Sequence, residues 1–278
     1  MSVASVPTGE RLGLIDAVIA ALRPLQFRGK GRLAELVVPR SNSRKALLFG
    51  SQFSLDTSDY LQRQMYAGAF ERLETRLVRK VLRPGMTFVD VGANVGYYTA
   101  LAAQLVGPTG SVYAFEPSDY AYPRLTNMIE KSGLTCVRPI KCGLADAAGE
   151  RYLYGAVKEG SLGLRTATMV PSDDPQRALV PIETLDRMAE QFGIQQIDLI
   201  KIDVDGLEPL VLKGAANLIA SGRISNILME CAEYWFNRMN TSTNEIVDHL
   251  KASRFNVDRL GSASLYAKFS AHQKSQSA

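Results

Sequence analysis

Two stretches concentrate residues whose types and spacing can do chemistry. The first reads Phe88-Val89-Asp90-Val91-Gly92-Ala93-Asn94-Val95-Gly96-Tyr97-Tyr98, an apolar strand running through glycines into a helix start. In open α/β sheets ligands bind at such turns, where glycine lets the backbone approach a ligand and leaves the helix N-terminus exposed. The next strand-like run ends in Phe115-Glu116-Pro117, with Glu116 lying 26 residues beyond Asp90. A carboxylate there can take both hydroxyls of a ribose, which predicts a bound nucleoside. A dinucleotide loop wants Gly-x-Gly-x-x-Gly, whereas position 94 is Asn and Asp90 closes the strand. An anion beside a pyrophosphate is repelled; beside an ammonium and a sulfonium it is favoured, and S-adenosylmethionine has both. The plain alternative is a tight glycine turn with no ligand.

The second stretch is Asp198-Leu199-Ile200-Lys201-Ile202-Asp203-Val204-Asp205-Gly206-Leu207-Glu208. Lys201, Asp203 and Asp205 share one strand parity and the apolar residues the other. Charges within an apolar strand are costly unless paired or used. Asp203 is therefore the first candidate for a general base, with Asp205 and Glu230 behind it. Asp205 and Glu208 also have the spacing of a capping box, so Asp205 could instead cap a helix. The same acids could hold Mg²⁺, although no metal spacing demands it. His249 and His272, the two histidines, lie in a late helix and in the tail, and read as surface residues. Tyr234-Trp235-Phe236 could stack on a sugar ring or pack as a lid.

These residues must be positioned by alternating strands and helices. Strand-like runs at Thr87–Val91, Ser111–Phe115, Cys136–Ile140, Leu199–Val204 and Ile224–Glu230 alternate with helical ones at Tyr97–Val106, Pro123–Ser132 and Leu207–Lys213. That pattern means a mostly parallel sheet covered on both faces. A helix at Thr243–Ser253 precedes a hairpin of Phe255–Leu260 and Ser264–Ala267, expected to add an antiparallel edge strand. Residues 151–186, with Gly155, Gly160, Gly163 and Pro171–Pro175, read as an inserted hairpin with mobile loops. Upstream, residues 1–57 read as an accessory segment: a helix closed by Pro24, then short strands at Leu36–Val38 and Leu47–Phe49. A helix from Ser58 to Leu82 in two pieces around Gly68 opens the main domain, 58–269, and 270–278 read as a flexible tail.

The chain holds 278 residues, 46% hydrophobic and 22% charged, ordinary for a globular protein and outside the range of disorder, collagen or a disulfide scaffold. The uncharged run Val91–Phe115 is broken by glycines and the Gly107-Pro108-Thr109-Gly110 turn, so it cannot be one membrane span. Three cysteines without metal spacing, and no visible signal peptide, point to a reducing, cytoplasmic setting. The net charge of +4 is too small to argue for nucleic acid. Residues 1–50 hold eight Lys or Arg against three Asp or Glu, so this basic segment could meet a membrane surface, an anionic substrate or only water.

Asp90-Val91-Gly92-Ala93-Asn94-Val95-Gly96, Phe115-Glu116-Pro117, Thr184-Leu185-Asp186, Ile200-Lys201-Ile202-Asp203-Val204-Asp205-Gly206 and Val211-Leu212-Lys213-Gly214 together resemble the FkbM-type S-adenosylmethionine-dependent methyltransferases. The likeness runs from about Tyr60 to Glu230. It implies a class I, Rossmann-like fold with a seven-stranded, mostly parallel sheet, and O-methylation of a small-molecule or glycan hydroxyl. It further implies that Asp90, Gly92, Asn94 and Gly96 form the cofactor loop with Tyr97 at the helix start. Glu116 with Pro117 would meet the ribose, Leu144 and Asp146 would lie near the adenine, and Asp203 would border the cofactor. Where the family commonly has Glu after Asp-Val, this chain has the shorter Asp205.

Overall fold

The computed structural model describes residues 14–25, 27–41, 43–155, 168–171 and 177–270. Gly160, Gly163, Ser172–Pro175, His272 and the expected tail beyond Ser270 lie outside them. The described chain forms two compact units, one of residues up to Arg44 with Leu55–Phe70, the other of Lys45–Ser54 and the chain from Glu71 onward.

The smaller unit holds α1 (Leu14–Leu22), α2 (Lys30–Val37) and α3 (Tyr60–Ala67). Leu36–Val38, expected as a strand, belongs to α2 and its C-cap. Contacts outweigh the β preference of its valines there. Lys30 and Ala34, one turn apart, are buried, and Glu35 takes an ion pair from Arg63 (2.6 Å) and a hydrogen bond from Gln64 (2.7 Å) on α3. Gly68, at φ +69°, ends α3, and α4 (Arg72–Val81) resumes after Glu71. No described helix is long and apolar enough to cross a membrane.

A hairpin, β1 (Arg44–Leu48) with β2 (Ser51–Leu55), precedes α3. In the larger unit α4 is followed by β3 (Thr87–Val91), α5 (Tyr97–Val106), β4 (Ser111–Phe115), α6 (Tyr122–Ser132) and β5 (Val137–Ile140). Next come β6 (Gly143–Leu144), β7 (Gly149–Tyr154), β8 (Arg177–Glu183), α7 (Leu185–Phe192), β9 (Leu199–Ile202), α8 (Glu208–Lys213) and α9 (Ala216–Ala220). β10 (Asn226–Glu230), α10 (Glu233–Arg238), α11 (Thr243–Ala252), β11 (Phe255–Leu260) and β12 (Ser264–Phe269) complete it.

The main sheet has seven strands in the order β11-β12-β10-β9-β3-β4-β5. β3, β4, β5, β9 and β10 pair in parallel, and β12 runs antiparallel to both β10 and β11. The C-terminal hairpin is present, but its antiparallel strand lies inside the sheet rather than at the edge. Turning at Gly261 (φ +69°), β12 returns beside β10 and buries Leu265 and Ala267. An edge position would leave that apolar alternation half exposed.

β7 and β8 pair antiparallel, and β6 adds a parallel third strand. One face of the main sheet, with Val89, Val91, Ile200, Ile202, Ile227 and Met229, forms the principal core with α7, α8, α9 and α11. Motif residues outside the sheet have structural work here. Thr184 caps α7, accepting from the Arg187 N–H. Asp186 accepts from the Asn217 and Leu218 N–H groups at the start of α9. Gly214 passes so close to Ala145 that a Cβ would sit 2.0 Å from its carbonyl oxygen.

Candidate functional site

Strand register places the site. Asp90 on β3 and Lys201 on β9 are direct partners, so their side chains leave the same face. Ile202 pairs with Met229 on β10, which brings Asp203 level with Glu230 one step further on. Four strands thus deliver acids to one carboxyl edge: Asp90 from β3, Glu116 after β4, Asp203 after β9 and Glu230 at the end of β10.

Lys201 sits at the middle of this group, 5% exposed. Its ammonium ion-pairs Asp203, lies 3.9 Å from the Glu71 carboxylate and stands 4.5 Å from the centre of the Tyr98 ring. Burial alone would lower its pKa, yet Asp203, Glu71 and Asp90 together raise it. For Asp203, burial favours the neutral acid, but the Lys201 charge and a hydrogen bond from Glu230 outweigh it and hold Asp203 ionised. Glu230 bears the complementary shift: burial and the Asp203 charge push it up to about 10, so it keeps its proton. Asp205 is pushed up to about 7 by burial and the Asp203 charge.

The glycine loop is built by close approaches within the protein. Gly92 (φ +81°) lies against the backbone of Asp203, and Gly96 (φ +92°) lies against Leu125 and Met128 of α6. The close approaches that the structure shows at these glycines are to the end of β9 and to α6. Asn94, at φ 49°, donates its N–H to Glu116 Oε2 at 2.8 Å, and Ser118 donates to Oε1 at 2.9 Å. Asp90 accepts from the Thr99 hydroxyl at 2.6 Å. Burial pushes Asp90 up to about 6 and Glu116 up to about 7.

Tyr97 packs edge-on to Phe49 (5.0 Å) with its hydroxyl 3.2 Å from Thr75; Tyr98 is the ring that faces Lys201, and its hydroxyl donates to Glu71 at 2.7 Å. Leu144 is 2% exposed within the core, and Asp146 is at the surface, paired with Arg151 at 2.8 Å. Pro117 is half-buried beside Glu116. Asp205 does not cap α8, which begins at Glu208 without a side-chain cap. The Glu208 carboxylate instead accepts from the Val204 and Gly206 N–H groups at 3.1 and 3.0 Å, stitching the loop from inside. Glu71 had no sequence signal, since it lies in the break between α3 and α4. Lys201 was visible as a charge within an apolar strand.

The donor set fits a cationic nucleoside. Glu116 has no cationic partner among the described residues, and each oxygen takes only one backbone N–H, leaving acceptor capacity for a diol. Among the described residues the Lys201 ammonium faces Asp203, Glu71 and Asp90, with Asp205 beside the Asp203 charge, so further positive charge is favoured there. Among the described residues no group of three or more His, Cys, Asp or Glu is arranged to hold a metal ion.

The chain is similar in sequence to known methyltransferases. The 31-O-demethyl-FK506 methyltransferase FkbM of Streptomyces tacrolimicus is 32% identical over 160 residues, covering 48% of this chain and 60% of its own. The hexuronic acid methyltransferase AglP of Haloferax volcanii is 27% identical over 132 residues, covering 48% of this chain and 51% of its own. Fibrillarin 3 of Arabidopsis thaliana, whose name refers to rRNA 2′-O-methylation, is 27% identical over 139 residues, covering 46% and 47%. The chain thus spans about half to three fifths of the length of these curated relatives. The methyltransferase FkbM domain model matches residues 90–257, from the last residues of β3, Asp90 and Val91, to the middle of β11, and with more than half of its length so matched the chain belongs to that family.

Proposed function

We propose that this chain is an S-adenosylmethionine-dependent O-methyltransferase acting on a hydroxyl of a small molecule or sugar. The observation that supports it best is the carboxyl edge: Asp203 ionised against Lys201, Glu230 protonated beside it, and Asp205 balanced near neutral pH. Asp205 stands two residues before Leu207, which helps to wall a cleft of about 510 Å³, the size of a small-molecule site.

Glu116 would hold the ribose hydroxyls of the cofactor, and Asp90 with the Gly92–Gly96 loop would border its charged end. When bound, that cofactor supplies a methyl group already activated as a sulfonium. The protein must then place a hydroxyl oxygen, an effect worth on the order of 7–11 kcal/mol, and remove its proton, worth roughly 10²–10⁴-fold. Of the three candidate acids, Asp203 is too strongly held as the anion and Glu230 carries its own proton. Asp205 has the pKa suited to a base at neutral pH. Asp203 keeps Lys201 in place and its charge raises Asp205. Lys201 supplies the positive charge among these acids, so the reading invokes no Mg²⁺.

Titration of S-adenosylmethionine and, separately, NADH into wild type and Glu116→Ala tests the cofactor, followed by transfer of a labelled methyl group to hydroxyl acceptors. Binding of S-adenosylmethionine alone, weakened by Glu116→Ala, is expected. Preference for NADH, or no binding by the folded protein, would overturn the reading.

A further inference from the structure

The aromatic run Tyr234-Trp235-Phe236 divides its rings among three surroundings. All three residues lie on α10, and successive side chains on a helix point about 100° apart. Phe236 is fully buried in the principal core and anchors the helix. Tyr234 is 64% exposed. Trp235, the one tryptophan of the chain, is half-buried, and its indole N–H donates to the Asp205 carboxylate.

The two segments also meet at the backbone. A Cβ built on Gly206, at φ +106°, would lie 2.8 Å from the Trp235 Cβ, so the bare glycine after Asp205 is what admits α10. Asp205 itself has φ +48°, a left-handed conformation uncommon for a residue with a side chain. Such strain persists where the surroundings over-determine it. Here Glu208 accepts from the N–H groups on either side, those of Val204 and Gly206, and the Thr168 hydroxyl donates to the Asp205 carbonyl at 2.8 Å. Those bonds hold the backbone, and Trp235 holds the side chain. The ionisable groups facing Asp205 are Asp203 and Lys201 on β9 and its continuation, Glu208 at the start of α8 and Glu230 at the end of β10. Lys201 is already paired with Asp203. An indole N–H can only donate, so it favours the carboxylate over the neutral acid.

We propose that Trp235 is a positioning residue for methyl transfer, its indole N–H aiming the Asp205 carboxylate at the acceptor hydroxyl and favouring the anion that takes the proton. The inference rests on the reading of Asp205 as the base, but its test needs neither cofactor nor acceptor.

With one tryptophan in the chain, its emission is a local probe. Emission is followed from pH 5 to 9 in ligand-free wild type and Asp205→Asn. A transition centred at about pH 7 is expected in the wild type and should be absent from Asp205→Asn. Aspartate carboxyl carbons labelled with carbon-13 are then titrated by NMR in wild type and Trp235→Phe. The Asp205 signal is the one lost in Asp205→Asn, or in Asp205→Glu should the first variant not fold. Trp235→Phe keeps an apolar ring and removes the donor, so the Asp205 midpoint should move up by about 0.5 or more in pH. Wild-type emission without a transition, a transition that survives in Asp205→Asn, or a midpoint that does not move in Trp235→Phe would overturn the proposal. Failure of S-adenosylmethionine to bind would instead tell against the methyltransferase reading and leave both titrations unchanged.

Discussion

A Cβ placed on Gly92 would lie 2.0 Å from the carbonyl oxygen of Asp203. The turn after β3 and the end of β9 therefore touch backbone to backbone, and the Asp203 N–H closes the contact by donating to the Val91 carbonyl at 3.0 Å. The glycine loop after β3 and the end of β9 are one structure, joined where only glycine fits. Gly92→Ala must force them apart as well as occupy φ +81°. It should destabilise the protein by about 3 kcal/mol or more, since overpacking and left-handed strain add. Gly193→Ala, at φ +65° with nothing within 4 Å, meets the strain alone and should cost about 1–2 kcal/mol. Urea unfolding of both variants checks the difference, and equal losses would refute the steric argument.

Glu116 leads to a pH dependence whose sign is fixed. Its carboxyl is pushed up to about 7 in the fold by burial, from a starting value of 4.5. Between those values the folded state binds more protons than the unfolded one, so Glu116 makes stability fall as pH rises from about 4.5 to about 7. At 1.36 kcal/mol per pKa unit, this one group accounts for up to about 3 kcal/mol. Glu116→Gln should flatten that part of the profile in the ligand-free protein. Melting temperatures from pH 5 to 8 test it; parallel profiles for the two proteins would show that Glu116 is not raised.

The sequence made the strands legible where periodicity and charge agreed. Lys201 and Asp203 announced themselves as charges of one parity in an apolar run, and Glu116 by its distance from Asp90. What stayed hidden depended on register between distant segments. Glu71 enters the site from the break before α4, and nothing in Phe70-Glu71-Arg72 marks it. Asp203 and Glu230 are level only because β9 and β10 pair as they do, so their shared proton could not be read from either strand. Tyr97 and Tyr98 are adjacent, and only the direction of α5 decides which ring meets Lys201. The place of β12 inside the sheet likewise follows from tertiary burial of Leu265 and Ala267.

Lys201 is the cation on which the acids depend. Lys201→Met should be strongly destabilising, by about 3–5 kcal/mol, because it leaves buried charge without a partner. Asp203→Asn added to Lys201→Met removes that stranded charge, and the double variant should recover a large part of the loss. Unfolding free energies of the two single variants and the double variant give the coupling directly. Additive losses would mean that the Lys201–Asp203 pair is not a unit of the fold.

Asp205 is the acid whose ionisation should govern the rate. Burial and the neighbouring Asp203 charge push it up to about 7, and a base works only once its proton is gone. The kcat of the wild type should therefore rise with pH through about 7 and then level. Asp205→Asn should lower kcat by roughly 10²–10⁴-fold, with S-adenosylhomocysteine affinity changed by no more than about twofold. Asp203→Asn gives the sharper test, because it removes the charge that raises Asp205 while Lys201 remains. Its residual activity should rise through a lower pH than that of the wild type. A rate independent of pH from 5.5 to 8.5, or a limb that does not move in Asp203→Asn, would transfer the role of base away from Asp205.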